Sequence, residues 1–142
     1  MTHTPLSAET REKLRYVSTA TLSTLLFKRG LRNQFIQDVR PLSPKPENMV
    51  GEAFTLRYIP AREDLNPLSV FQNPQHPQRL AVEQAPAGSV MVFDSRKDPR
   101  AASAGAILVT RLMARGVEGV VTDGGFRDSP EIAQLAIHAY HN

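Results

Sequence analysis

Val120-Val121-Thr122-Asp123-Gly124-Gly125-Phe126-Arg127-Asp128-Ser129-Pro130-Glu131 is a β-branched run that ends in an acid and two glycines, then presents an adjacent Arg and Asp before a helix start. Ser129 is a natural N-cap, Pro130 suits the first helical position, and Glu131 favours the positive helix end. The pattern predicts strand, loop and helix, with the loop at the carboxyl end of the strand, where open α/β sheets bind ligands. A guanidinium beside a carboxylate offers a two-pronged anion clamp and a hard-metal ligand in one loop. That combination points to a small acidic substrate held with a divalent cation.

Working outward, Ser89 to Asp94 and Val117 to Thr122 read as short buried strands on either side of a helix over 103–115. Ile107, Leu108, Leu112 and Met113 lie on one side of that helix, and Arg115-Gly116 closes it. A helix over 129–135 and a strand beginning at 136–140 follow. Strand–helix–strand–helix–strand predicts an α/β fold with parallel pairing and right-handed crossovers. Upstream, Ser7 caps a short polar helix over 7–15. A second helix starts at Ser18 or Thr19, carries Leu22, Leu25 and Leu26 at helical spacing, and ends at Lys28, Arg29 and Gly30. It is expected to pack one face on the sheet. Pro41, Pro44 and Pro46 mark an irregular connection, and Val50 to Tyr58 reads as a strand. Residues 60–81 hold four prolines and few periodic apolar positions. A connection of that length is a lid, an oligomer contact or a surface excursion. The chain stops just after its last strand begins, so either that strand is a sheet edge or the chain is part of a longer domain.

The 142 residues suit one domain with a modest core. Without cysteine there are no disulfides or thiolate metal sites. Met1-Thr2-His3-Thr4-Pro5 lacks a basic stretch followed by an apolar core, so no signal peptide is expected, and a cytoplasmic location fits. No apolar run approaches the length of a bilayer span. The formal charge is +3, from 17 Lys plus Arg against 14 Asp plus Glu. These basic residues are dispersed among acids, with no basic stripe interleaved with aromatics, so neither nucleic acid nor a membrane is an expected partner.

Parallel strands bring Asp94, the start of the helix over 103–115 and loop 123–128 to one end of the sheet. The small residues Ala101 to Ala106 let a ligand approach the first helical turn, whose unpaired N–H groups attract carboxylates or phosphates. Arg127 adds a bidentate contact, Asp128 can hold Mg²⁺ or Mn²⁺, and Gly124 and Gly125 bring backbone close to a substrate. Taken singly, each feature has a plainer reading as a surface ion pair, a tight turn or close helix–sheet packing; their convergence is what favours a site. His3, His76, His138 and His141 are scattered without metal-binding spacing. No Gly-x-Ser-x-Gly elbow and no Walker-type loop occurs.

Gly105-Ala106-Ile107-Leu108 followed by Val120 to Asp128 resembles the RraA-like family, which includes class II 4-hydroxy-4-methyl-2-oxoglutarate aldolases and regulators of ribonuclease activity. Ser18 to Leu22 looks like that family's first packed helix, and Gly51 to Thr55 like its Gly-x-Ala-x-Thr strand. The resemblance implies a compact α/β domain with a central barrel-like sheet, a homotrimer, and a site near a subunit interface. It also implies substrate binding by Gly105, Ala106, Ile107 and Leu108 through backbone amides, substrate contact by Arg127, and a divalent metal cation anchored by Asp128. The implied reaction is retro-aldol cleavage of a 4-hydroxy-2-oxo acid to pyruvate, or decarboxylation of oxaloacetate, both through a pyruvate enolate with the metal as Lewis acid. The implied alternative is a non-catalytic regulator that binds an RNA-degrading endonuclease, or an inactive fragment. Two departures stand out. The aldolase pattern has an acid, twenty intervening residues and then Arg-Asp, which puts the acid's position at Ala106. General acid–base help is worth about 10²–10⁴-fold, so the catalytic acid is unassigned; Asp94 and Asp123 are the neighbouring acids. Family chains also continue beyond Arg-Asp with further strands, so residues 1–142 are expected to form one RraA-like domain incomplete at its C-terminus.

Overall fold

The computed structural model describes residues 4–60 and 62–142, so His3 lies outside the described residues. Two helices come first: α1 (Ala8–Tyr16) and α2 (Thr19–Lys28). The Ser7 and Ser18 hydroxyls cap them, accepting from the Thr10 and Thr21 amides at 3.2 and 3.1 Å. Each cap satisfies one of the donors a helix leaves unpaired at its start. The sheet is built from β1 (Arg40–Pro41), β2 (Glu52–Arg57), β3 (Ser89–Asp94), β5 (Gly119–Thr122) and β7 (His138–His141) in the order β1-β7-β5-β3-β2. All its pairings are parallel except β1 with β7. β4 (Ala102–Ala104) and β6 (Gly125–Phe126) form a separate parallel pair. A 3₁₀ turn over Leu68–Gln72, α3 (Pro77–Gln84), α4 (Ala106–Ala114) and α5 (Ser129–Gln134) complete the order.

Strands β3 and β5 are covered on both faces, which is why Val90, Met91, Phe93, Val120 and Val121 form apolar runs instead of alternating. Met91, Phe93 and Val120 pack with Val82 of α3, Val109 and Leu112 of α4 and Ile132 of α5. Phe93 is the largest fully buried side chain, stacked on Tyr58 at 6.1 Å and edge-on to Phe126 at 6.5 Å between ring centres. Among the described residues no helix is long and apolar enough to cross a membrane.

Several expectations need correction. β7 is not an edge: β1 pairs beside it, with Arg40 opposite His141 and Pro41 opposite Tyr140. The proline sits on the outermost strand, where its missing N–H is tolerated. α2 contributes no buried residue, and Leu25 is 51% exposed. Helical spacing identifies an apolar stripe, not what covers it, and the sheet's helical cover comes from α3, α4 and α5. The 60–81 stretch is not irregular throughout, because α3 begins at Pro77. There proline occupies the first turn and His76 Nδ1 accepts from the Gln78 amide at 3.3 Å.

The helix expected over 103–115 is two elements. Ala102–Ala104 pairs with β6, Gly105 is the cap, and helix begins at Ala106. Its buried face is Val109 and Leu112, with Leu108 and Met113 only half-buried and Ile107 82% exposed. Finally, the residue preceding α5 is Asp128, in the left-handed region at φ 59°, and Ser129 is the helix's first residue. The Ser129 hydroxyl donates back to the Phe126 carbonyl at 3.1 Å instead of capping.

Candidate functional site

The site grows from β4. Ser95, Ser103 and Thr122 form a buried triangle of hydroxyls, with Ser103 Oγ 2.6 Å from both Ser95 Oγ and Thr122 Oγ1. Thr122 Oγ1 also accepts from the Gly124 amide at 3.0 Å. These bonds tie β4 to the carboxyl ends of β3 and β5. From the other side, the Tyr58 hydroxyl donates to the Ser103 carbonyl at 2.6 Å, and Gln78 Nε2 donates to the same carbonyl at 2.8 Å. Burial pushes the Tyr58 hydroxyl up to about 12, partly opposed by Gln78, so it stays a proton donor. The Arg127 amide donates to the Ala104 carbonyl at 2.9 Å. The carbonyls of Ser103 and Ala104 are thereby engaged by groups outside α4. Among the described residues, the Ile107 and Leu108 amides have no acceptor. They are the outward-facing donors of the first turn.

The Ala106 amide is different. It donates to Asp128 Oδ2 at 3.1 Å, so Asp128 caps α4 across the loop. That bond, with the β4–β6 pairing, joins the two segments singled out by the sequence. Gly105 is required by proximity: a Cβ there would lie 2.8 Å from Asp128 Oδ2 and 3.3 Å from Arg127 Nε. Its backbone is ordinary extended chain, so the constraint is steric.

Gly105, Ile107, Leu108 and Arg127 line one cleft of about 440 Å³. Ala106 and Asp128 are not among the lining residues, although Asp128 Oδ2 lies within 2.8 Å of where a Gly105 Cβ would stand. The cleft's remaining walls are Leu68, Phe71, Gln78, Arg79, Ala102 and Ala104. Ala102 and Ala104 belong to the small-residue segment expected to admit a ligand, whereas Leu68, Phe71, Gln78 and Arg79 were not anticipated as site residues. Four come from the 60–81 stretch, and Pro77 followed by helix-forming Gln78 and Arg79 was the signal that could have found α3.

Asp94 and Asp123 share this end of the sheet but do not line the cleft. Asp94 accepts from Arg57 Nε at 2.6 Å, which holds its carboxyl below the ordinary carboxylate range. Asp123 accepts from the Ser95 and Lys97 amides at 2.6 and 3.0 Å and so fastens the 95–97 turn. Among the described residues no three His, Cys, Asp or Glu side chains form a metal-binding group. A hard divalent cation does not require one, since Mg²⁺ often takes one or two carboxylates and fills its shell with water and substrate oxygens. Asp128, with Oδ2 on the Ala106 amide, has Oδ1 to offer such an ion.

The RraA-like (Aldolase/RraA) family model matches residues 19–142, and the chain belongs to that family. Aldolases and ribonuclease inhibitors both occur within it. Among solved structures, RraAS2 of Streptomyces coelicolor, described as an unusual member of the RNase ES inhibitor RraA protein family, is 26% identical with a TM-score of 0.78. The match covers 99% of this chain and 65% of that one. An uncharacterized protein from Pseudomonas syringae pv. tomato is 23% identical at TM-score 0.78, covering 99% of this chain and 59% of that one. The RNA-processing inhibitor RraA from Thermus thermophilis shares the fold at 22% identity and TM-score 0.63, over 88% of this chain and 66% of that one. The chain thus spans about two thirds or less of the length of these structures. No curated protein sequence gives a match.

Proposed function

We propose that the cleft binds a small 2-oxo acid and that the chain is an oxo-acid lyase, with decarboxylation of oxaloacetate outpacing retro-aldol cleavage. The observation that carries this reading is the convergence of the Arg127 guanidinium with the unpaired Ile107 and Leu108 amides on one cleft that holds no acid. A guanidinium and first-turn amides together suit a carboxylate. Asp128 Oδ1 would hold Mg²⁺ or Mn²⁺. When bound, such a cation supplies Lewis-acid polarisation of the substrate's 2-oxo group.

The residue at position 106 separates the two reactions. Retro-aldol cleavage breaks the C3–C4 bond only as the C4 hydroxyl gives up its proton, and a base must take it. Decarboxylation breaks the corresponding bond by releasing CO₂, and its one proton, delivered to C3, can come from water. The methyl of Ala106 can accept no proton, which penalises the first reaction more than the second. Arg127 orients the substrate. The exposed apolar residues Leu68 and Ile107, 79% and 82% exposed, fit assembly as a homo-oligomer, a trimer by the family's pattern.

A second reading, a non-catalytic regulator of an RNA-degrading endonuclease, is favoured by the same methyl and by the likeness to RraAS2. The deciding assay is pyruvate release from oxaloacetate and from 4-hydroxy-4-methyl-2-oxoglutarate, with Mg²⁺ and with chelator. Asp128→Asn is the better variant than Asp128→Ala, because the amide oxygen can keep the Ala106 bond while the charge is lost. Oxaloacetate turnover that falls with chelator and with Asp128→Asn supports the lyase. No turnover, together with inhibition of a ribonuclease, moves the assignment to the regulator.

A further inference from the structure

We infer that Arg79 and Arg127 grip opposite ends of one ligand, which makes Arg79 the residue that selects a doubly charged oxo acid over a singly charged one. The inference rests on the oxo-acid reading of the cleft and adds a determinant to it. Two cations and no acid line the cleft. Several arginines elsewhere are mated with carboxylates, Arg57 with Asp94, Arg100 with Asp98, and Arg111 with Glu83, although Arg11 donates to the Val50 and Gly88 carbonyls. Arg79 instead donates its Nε to the neutral Phe71 carbonyl at 2.6 Å, which anchors the guanidinium and leaves both terminal amino groups for a ligand. Arg127 lies against Gly105 and has no carboxylate partner among the described residues.

The two guanidinium groups come from different walls, Arg79 from α3 and Arg127 from the loop preceding α5. Like charges facing one cleft are unfavourable until something neutralises them. A monoanion satisfies one and leaves the other; a dianion satisfies both. Apolar side chains, Phe71 and Leu68 on one wall and Ile107 on the other, suit the carbon chain between two charged ends. Arg127 lies beside the unpaired first-turn amides, so it takes the 2-oxo-carboxylate head, and Arg79 takes the distal carboxylate.

The test is calorimetric binding of two ligands in the presence of Mg²⁺. 2-Oxoglutarate and 2-oxopentanoate share a chain length and a 2-oxo-carboxylate head, and only the first has a distal carboxylate. The wild-type chain is expected to prefer 2-oxoglutarate by about tenfold, the scale of one charge-assisted contact. Arg79→Gln abolishes that preference and leaves 2-oxopentanoate affinity unchanged, while Arg79→Lys retains part of it. Arg127→Gln weakens both ligands. An absent wild-type preference overturns the inference. So does an equal loss of both ligands in Arg79→Gln, which would make Arg79 only a tie to the 68–72 turn. If Arg127→Gln weakens both ligands while Arg79→Gln changes neither, this inference fails and the oxo-acid site stands. If Arg127→Gln changes neither, both fail.

Discussion

Gly105→Ala isolates the site's geometry from the stability of the fold. The Gly105 backbone, at φ −121° and ψ 178°, is open to any residue, so alanine brings no conformational strain. What it brings is a Cβ at 2.8 Å from Asp128 Oδ2 and 3.3–3.4 Å from the Arg127 guanidinium. Ordinary contact begins at 3.4 Å, so the carboxylate must retreat by about 0.6 Å, the difference between 3.4 and 2.8 Å. The Ala106 bond, 3.1 Å long, then stretches past hydrogen-bonding range. Losing that bond costs about 1 kcal/mol, and the restricted unfolded chain returns about 0.4–1 kcal/mol. The melting temperature should therefore shift by only a few degrees. Binding should suffer far more, because Asp128 and Arg127 are both displaced. Affinity for 2-oxoglutarate, measured by calorimetry with Mg²⁺ present, should fall at least about tenfold, the scale of one lost charge-assisted contact. Unchanged affinity in a folded Gly105→Ala protein would refute the placement of the ligand against Arg127 and the α4 start. A collapse in stability would refute the steric accounting.

Phe93→Ala removes the ring at the centre of the core and should cost about 3–5 kcal/mol in chemical denaturation, independent of ligand. Tyr58→Phe removes one of two donors to the Ser103 carbonyl while Gln78 keeps the other. A loss of about 0.5–1.5 kcal/mol is expected in the denaturation midpoint, and a loss several times larger would mean the hydroxyl does more than hold β4. Burial lowers the His138 pKa below 6.5, only partly opposed by the Glu118 carboxylate. The unfolded chain then binds the proton more readily, so this contribution to stability is present above the unfolded pKa and is lost as pH falls through it. Acidification from about pH 7.5 to 5.5 should lower the melting temperature less in His138→Gln than in wild type. An identical pH dependence would show that His138 is not responsible.

What was legible in the sequence follows the physics of each element. β3 and β5 are buried on both faces, so Val-Met-Val-Phe and Val-Val announce them whatever their neighbours. Ser7 and Ser18 announce helices because their caps are local hydrogen bonds. β4 was not legible, since Ala-Ser-Ala carries no strand signal and becomes a strand only by pairing with Gly125–Phe126, which lies beyond α4 and β5. α3 is hidden because Pro77, one of four prolines in 60–81, reads as an interruption where it opens a helix. Gly105, Ile107 and Leu108, named through the family resemblance, and Arg127, singled out also by local signals at a strand end, all line the cleft. Gln78 and Arg79 were not legible, because the turn over 68–72 and α3 bring them to the cleft through tertiary packing. Asp128 reads in the sequence as a metal anchor with Ser129 as the cap of the following helix; that Asp128 reaches back to cap α4 is not legible, because the bond spans 22 residues.

That reach explains how the loop tolerates the residue at position 106. Ala106 donates its amide to Asp128, so a carboxylate on the same residue would stand a few ångström from Asp128 itself. Two carboxylates that close raise each other's pKa unless a cation lies between them. With a methyl at 106, Asp128 faces no second carboxylate at that position. Its Oδ2 caps α4 by accepting from the Ala106 amide. The methyl at 106 thereby leaves the α4–loop junction, with Gly105 against Arg127 and the Ala106 amide on Asp128, free of a second carboxylate. Retention of the Arg127–Gly105 packing beside an unreactive side chain is therefore physically consistent, and it fits the proposed preference for a reaction that needs no base at that position.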